Sequence, residues 1–164
     1  MQLEFPYQVV TFLDKEPRVS EPVYDGENGW YPQLALKRRF KTKAGDEEGL
    51  IQSLKGFFNQ LDEIAIETGA LVKPERMPVQ VIDITNQDEL KSLHLRLIRH
   101  LEDTIISRYP DREGDNYYAH ITAEYNGKFV IPVDRYLNQR IAVRNIWLLK
   151  DANDENSLAY IKLR

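Results

Sequence analysis

The chain has 164 residues, a formal net charge of −4 and no cysteine. This length suits one domain with a hydrophobic core, and the lack of cysteine excludes disulfides, thiolate nucleophiles and cysteine-ligated zinc. No apolar run reaches the roughly 18 residues that a membrane-spanning helix needs, and an acidic chain is poorly suited to coating long duplex nucleic acid. We therefore expect a cytoplasmic monomer with no membrane partner, in which residues 1–164 form a single domain.

The first half of the chain predicts two strands and a long helix. Residues 8–13 are rich in β-branched and aromatic types, as in a buried strand, and an irregular loop rich in proline and glycine follows at 14–30. A second strand begins near residue 31 and runs to about Phe40. From residue 46 to residue 68 apolar residues recur every three or four positions, which predicts an amphipathic helix that stops at Gly69.

The second half predicts a strand, a helix and a series of hairpins. Asn86 is a favourable N-cap with Glu89 at the N3 position, and Asn126-Gly127 is a strong hairpin signal. The elements in chain order are a strand at 79–84, a helix from about 86 to 108, a loop at 110–116, a strand at 118–124, a returning strand at 128–133, and strands near 141–149 and 158–163 across a turn at 151–156. This order predicts an α+β protein made of two pseudo-symmetric lobes of mainly antiparallel sheet, with outer helices around a central groove.

One short strand signature occurs in each half of the chain. Residues 31–37 read Tyr-Pro-Gln-Leu-Ala-Leu-Lys, and residues 118–124 read Tyr-Ala-His-Ile-Thr-Ala-Glu. If the two copies pair across a pseudo-two-fold axis, Gln33 faces His120 and Ala35 faces Thr122 in one shared groove. The second copy then carries reactive side chains that the first copy lacks.

Alternate side chains of a strand share a face. His120, Thr122 and Glu124 therefore lie on one side of the second strand. In the first strand, the predicted polar face carries Gln33, Ala35, Lys37 and Arg39, and the opposite face carries Leu34, Leu36, Arg38 and Phe40. An imidazole moves protons near neutral pH and a threonine hydroxyl can donate to a phosphoryl oxygen, so this pattern favours a phosphate site. Glu124 would oppose a phosphate unless it pairs with Lys37 or Arg39.

These motifs resemble those of the two-histidine phosphoesterase superfamily, which comprises 2′-5′ RNA ligase-like and cyclic phosphodiesterase-like proteins. The resemblance covers residues 31–40, the helix at 90–108, residues 118–122 and the closing strands around 146–149 and 160. Members typically carry two His-x-Thr/Ser motifs on paired strands and need no metal or other cofactor. The resemblance implies that His120 and Thr122 are catalytic. The residues expected to bind substrate or phosphate are Gln33, Lys37, Arg39, Tyr31 and Tyr118.

The sequence departs from the family pattern at the first motif, where Gln33 and Ala35 replace histidine and threonine or serine. Loss of one proton-transfer partner costs about 10²–10⁴ in rate. Two functions therefore stay open: a phosphoesterase acting on 2′,3′-cyclic or 2′-5′ phosphodiesters, or a non-catalytic module that binds a nucleotide or RNA end. A protein-interaction domain that reuses the scaffold is a third interpretation. The expected partner is a phosphorylated small molecule or an RNA end.

The other histidines and the aromatic residues support weaker interpretations. His94 falls on the apolar face of the second helix and is expected to be a hydrogen-bonded core residue, whereas His100 is expected at the surface or against another helix. The two are six positions apart and do not share a helix face as metal ligands would, so we expect no metal site. The aromatic residues beside the two signatures could stack on a base or pack as rim and core: Tyr24, Trp30, Tyr31, Tyr117 and Tyr118.

Overall fold

The computed structural model describes residues 4–25, 29–151 and 157–164. Its α-helices are α1 (Glu47–Asn59) and α2 (Gln87–Leu101), and short 3₁₀ turns lie at Pro110–Arg112, Gly114–Asn116 and Val133–Arg135. Its strands are β1 (Tyr7–Phe12), β2 (Tyr24–Asp25), β3 (Gly29–Trp30), β4 (Gln33–Thr42), β5 (Ala65–Val72), β6 (Val81–Ile84), β7 (Ile105–Ser107), β8 (His120–Thr122), β9 (Glu124–Tyr125), β10 (Lys128–Phe129), β11 (Arg140–Ala142), β12 (Trp147–Asp151) and β13 (Ser157–Lys162). Within the described ranges, neither helix is long and apolar enough to cross a membrane.

Most of the strands in the described ranges belong to one antiparallel sheet. Nine of them pair in the order β11-β5-β6-β8-β4-β1-β12-β13, with β7 attached to β4. The two signature strands, β4 and β8, are neighbours in the middle of this sheet. The predicted α+β class with mainly antiparallel pairing is confirmed.

The main hydrophobic core lies between one face of the sheet and the two helices. Leu34 and Leu36 from β4, Ile121 from β8, Leu54 from α1 and Leu97 from α2 are each at most 1% exposed and belong to one cluster. Burial of such a side chain stabilises the fold by about 1.5–3 kcal/mol. Because these buried residues fix which face of β4 and β8 meets the helices, they direct the alternate polar residues to the opposite face.

The first predicted helix is too long. Helix α1 ends at Asn59, and residues that were expected to continue it form β5, which pairs with β6 and β11. Ile66 pairs with Ile141 of β11 and Thr68 pairs with Ile84 of β6, so this segment pairs with strands on both sides rather than within a helix. Gly69 consequently lies within a strand and does not terminate a helix.

The second predicted helix starts where expected but also ends early. Asn86 is the N-cap residue of α2, but its side chain makes no cap bond to the helix backbone. Oδ1 accepts from the Glu67 amide of β5 at 2.9 Å, and Nδ2 donates to the Ala65 carbonyl at 2.8 Å and to the Glu89 carboxylate of α2 at 3.1 Å. The helix stops at Leu101, because the following Ile105–Ser107 segment pairs with β4 as β7. β-Branched residues there favour the strand.

The remaining strand predictions are partly correct. The Asn126-Gly127 turn has positive φ at both residues, and it joins β9 to β10 as a hairpin in which only 128–129 pair back. The strand expected at 141–149 is two separate strands, β11 and β12. The turn expected at 151–156 lies largely outside the described residues, as does part of the 14–30 loop.

Candidate functional site

The two signature strands bring their polar residues into one cavity of about 370 Å³, here called the central cavity. Leu34 pairs with Ile121 across the β4–β8 ladder, and both side chains are fully buried on the helix side. Their neighbours on both strands therefore face the other way, and the central cavity is lined by Gln33, Ala35, His120 and Thr122. The antiparallel register sets Gln33 opposite Thr122 and Ala35 opposite His120, so the pairs predicted from the sequence are exchanged.

A bulge in β4 interrupts the alternation after Leu36, and a second register shift restores it by Phe40, which is buried in the same cluster as Leu36. Val9 of β1 pairs with Lys37 and Val10 pairs with Ala35, so one step along β1 covers two residues of β4. Lys37 consequently turns away from the cavity, is fully buried and forms an ion pair with Glu113. Arg38 instead lines the central cavity. The prediction that Lys37 shares a face with Gln33, and that Arg38 lies opposite, is wrong.

His120 has both ring nitrogens hydrogen-bonded. Nδ1 lies 3.0 Å from the carbonyl oxygen of Tyr118, and Nε2 lies 3.1 Å from Nη2 of Arg38. A carbonyl oxygen only accepts and a guanidinium only donates. Nδ1 therefore carries the hydrogen, and Nε2 presents its lone pair to Arg38.

The environment of His120 favours this neutral form. Burial lowers the pKa of His120 to about 4, the hydrogen bond to the Tyr118 carbonyl opposes the change, and the positive charge of Arg38 adds to it. At neutral pH the imidazole can accept a proton at Nε2 but has none there to donate. It has the character of a general base.

Arg38 is a half-buried cation that contacts a base rather than an acid. Among residues 4–25, 29–151 and 157–164, no carboxylate forms an ion pair with its guanidinium. Burial, followed by the positive charge of Arg112, lowers the pKa of Arg38. A desolvated charge without a counter-ion is unfavourable, so this position favours an anionic ligand.

Arg38 and His120 also line a second cavity of about 410 Å³, here called the arginine cavity. Its walls come from residues 74–77 and from the turns at 111–118, and they include Arg76 and Arg112. The ring of Tyr118 stacks on His120 at 5.6 Å, and the Tyr118 hydroxyl donates to Asp83 at 2.7 Å. Two cavities therefore meet at the Arg38–His120 pair.

Aromatic side chains border the other end of the central cavity. Trp30, Tyr31 and Tyr125 line it, and Tyr24, Trp30 and Tyr125 form a cluster with ring centroids 5.3, 5.5 and 6.4 Å apart. This cluster continues into a third cavity of about 520 Å³, which also includes Gln33. Of the expected stacking residues, only Tyr117 is fully packed in the core.

The other charged residues of the central cavity already have protein partners. Arg39 lines the cavity and forms an ion pair with Asp151. Glu124 also lines it, and its Oε2 accepts from Nε2 of Gln80 at 2.9 Å. Lys37 is bound to Glu113 on the other side of the strand and is not the partner of Glu124.

Two contacts hold the signature strands in register. At the start of α2, Gln87 forms two hydrogen bonds with the backbone of Ala119, one to its carbonyl at 2.6 Å and one from its amide at 2.9 Å. The hydroxyl of Tyr117 donates to the carbonyl of Ala35 at 2.8 Å. The first contact lies next to His120 and the second holds the backbone of Ala35, so both residues keep their position at the cavity.

His94 connects β4 to the turn before β8. Its Nδ1 donates to the Leu36 carbonyl at 2.8 Å, its Nε2 accepts from the Gly114 amide at 3.0 Å, and its ring stacks on Tyr117 at 4.1 Å. Burial lowers the pKa of His94, which agrees with these neutral-form contacts. The prediction of a hydrogen-bonded core histidine is confirmed.

The third histidine lies outside the cavities. His100 is exposed and its Nε2 lies 2.9 Å from Oγ of Ser53, so it links α2 to α1 at the surface, as predicted. Among the described residues, no group of three or more histidine and acidic side chains could hold a metal ion.

Sequence reasoning missed Arg38, Tyr125 and Met77 as cavity residues.

Comparison of the sequence with protein-family models and with curated proteins found no match. We therefore assign a function from the motif residues and from the geometry of the cavities.

Proposed function

We propose that the central cavity binds the phosphate of a nucleotide or RNA end, and that the protein is a phosphoesterase of the two-histidine, 2′-5′ RNA ligase-like type with a degenerate first motif. Its substrates would be 2′,3′-cyclic or 2′-5′ phosphodiesters. The observation that carries the proposal is Arg38, a half-buried cation without an acid partner in the described residues, which contacts His120 in the cavity that also holds Thr122.

The cavity residues would divide the work as follows. The hydroxyl of Thr122 and the side-chain amide of Gln33 face each other across the ladder and would donate to phosphoryl oxygens. Arg38 would supply charge-assisted hydrogen bonds, which are stronger than neutral ones. His120 would use the lone pair on Nε2 to take a proton from the attacking hydroxyl or water.

The position of the two motifs supports the proposed architecture. They lie on adjacent antiparallel strands in the middle of the sheet, which is the arrangement expected if two pseudo-symmetric lobes meet at a central groove. Gln33 stands where the second histidine would be, and an amide exchanges no proton near neutral pH. Turnover would therefore be lower by about 10²–10⁴ than with two proton-transfer partners.

The enzymatic proposal is tested by turnover of defined phosphodiesters. The purified protein is incubated with 2′,3′-cyclic nucleotides and with 2′-5′ oligonucleotides, and products are separated by chromatography. We expect wild-type protein to exceed His120→Ala, while His100→Ala, which removes an exposed histidine outside the cavities, keeps wild-type turnover. Equal background rates in wild type and His120→Ala would contradict the enzymatic proposal.

A non-catalytic binding module is the second candidate, and the replacement of both first-motif residues favours it. Gln33→His combined with Ala35→Thr would restore the family pattern in the first strand. Binding without turnover in wild type, together with turnover in the double variant, would show a binding site that has lost its catalytic pair. Failure to bind any phosphorylated ligand in calorimetry would contradict both candidates.

A further inference from the structure

We propose that Arg38 is a positioning residue that acts as a latch on His120. In the ligand-free protein the guanidinium occupies Nε2, and a bound anion draws the guanidinium away, so that the Nε2 lone pair of His120 becomes free to accept a proton. This inference rests on the anion binding proposed above. It adds a coupling between anion binding and protonation at one named nitrogen.

The geometry of the pair explains why the two states exclude each other. Nε2 of His120 has one lone pair in the ring plane, and Nη2 of Arg38 donates to it over 3.1 Å. While that bond exists, Nε2 cannot accept a proton from solvent or substrate. The guanidinium has five N–H donors on a long side chain, and it lies where the central and arginine cavities meet. It can therefore turn to an anion in either cavity without movement of β4.

The other charged groups around His120 are less suited to this control. The remaining cations that share its cavities are Arg39, which is paired with Asp151, and the exposed Arg76 and Arg112. Arg112 also lies over the ring of Tyr109, 5.2 Å from the centroid. Arg38 is the cation whose nitrogen is hydrogen-bonded to the imidazole.

The acidic groups near His120 are held by neutral donors or lie at the rim. Asp83 is paired opposite His120 on β6 and accepts from the Tyr118 hydroxyl at 2.7 Å. Glu124 accepts from Gln80 at 2.9 Å, and Glu75 and Asp111 are exposed at the edge of the arginine cavity. A ligand anion would therefore change the charge balance at the imidazole more than these acids do.

A bound anion and a protonated imidazole stabilise each other. An opposite charge within about 4–6 Å favours the charged form of a titratable group by about 1–3 pKa units. By linkage, protonation of His120 must then strengthen anion binding by the same factor. A rise of about one unit corresponds to an affinity about tenfold higher once the pH falls below both pKa values than at neutral pH.

The test follows the ring resonances of His120 by NMR during pH titrations, with sulfate as the probe because sulfate does not titrate near neutral pH. In wild type, saturating sulfate is expected to raise the pKa of His120 by about one unit. Without sulfate, Arg38→Gln is expected to raise it by about one unit relative to wild type. Arg38→Lys, which keeps the cation, should retain the low value. Arg76→Gln, which removes an exposed cation from the cavity rim, should match wild type.

The outcomes separate the latch from the proposed function. If sulfate binds but the pKa of His120 does not change, the latch is wrong and anion binding stands. If sulfate and cyclic nucleotides both fail to bind, the proposed function is wrong. In that case the latch is wrong as well, because it needs a bound anion. If sulfate binds but the pKa of His120 in ligand-free Arg38→Gln equals that of wild type, the control of His120 by Arg38 is wrong and anion binding stands. The resonances of His94, which lies in the core, report whether each variant is folded, and the sulfate titration of wild type needs no variant.

Discussion

His120 supplies a lone pair to the central cavity, Arg38 supplies a positive charge, and the two groups restrain each other. The Tyr118 carbonyl fixes the tautomer, so Nε2 is the nitrogen that faces Arg38. Burial then keeps the ring neutral. A single imidazole in this state can begin a reaction as a base once ligand binding releases Nε2 from Arg38.

The low pKa of His120 makes folding stability depend on pH. The folded-state value is about 4 and the reference value is 6.5, so as the pH falls the unfolded chain binds the proton first. The stability that the neutral His120 ring contributes is therefore fully present above pH 6.5, and it is lost progressively as the pH falls towards 4. Between neutral pH and pH 4.5, we expect the free energy of unfolding of His120→Gln to fall less than that of wild type, by about 2 kcal/mol.

The measurement is urea unfolding of both proteins at several pH values. His94 titrates in both proteins, so the difference between them isolates His120. Parallel stability curves for wild type and His120→Gln would contradict the neutral state of this half-buried ring.

Strand β4 shows which part of the site could be predicted and which part could not. Alternation correctly placed Gln33 and Ala35 in one cavity with His120 and Thr122, because each short run carries a clear buried face. It failed after Leu36, since the bulge arises from the register that β1 imposes on β4. Which residues of two distant strands pair with each other cannot be predicted from the local sequence pattern of either strand.

The predicted ends of both helices were wrong for the same physical reason. Apolar spacing continues past Asn59 in a helix-like way, yet residues 65–72 pair with β6 and β11, and that pairing decides their structure. Residues 105–107 likewise pair with β4. Helix starts and the α+β class were predictable from local signals, whereas the ends depended on tertiary contacts.

The buried Lys37–Glu113 pair gives a prediction about the bulge. Lys37→Met leaves Glu113 without its cation, and loss of one partner of a buried pair costs about 3–5 kcal/mol. Chemical denaturation should show this loss, whereas sulfate affinity should stay close to wild type because Lys37 lies outside the cavities. Lys37→Met combined with Glu113→Leu should recover most of the stability.

A matched control on the same strand is Lys41→Met, since Lys41 is partly exposed and its pair with Glu4 spans 3.7 Å. Such a pair contributes about 0–1 kcal/mol. Weakened anion binding with unchanged stability in Lys37→Met would contradict the observed orientation of Lys37. It would indicate that the Lys37 side chain faces the cavity.

The molecule has one main core to which distant parts of the chain contribute. Val9 from β1, Ile66 from β5, Leu97 from α2 and Leu163 near the end of the chain belong to the same cluster. The sequence predicts a single domain, and a shared core of this kind favours cooperative unfolding. Strand order could not be predicted, because it is set by pairing between distant segments.

We therefore expect one unfolding transition for the whole chain. Trp147 is buried beside Phe12, and Trp30 lies at the central cavity. Tryptophan fluorescence and far-ultraviolet circular dichroism should give the same denaturant midpoint. Two separated transitions would show that the halves fold independently.

The central claim is that a phosphate binds where β4 and β8 meet. A crystal structure of the protein saturated with a 2′,3′-cyclic nucleotide tests it most directly. We predict the phosphate within hydrogen-bonding distance of the Arg38 guanidinium and the Thr122 hydroxyl, with Nε2 of His120 turned to the ligand. A nucleotide bound elsewhere, with the Arg38–His120 bond intact and the central cavity empty, would contradict the account.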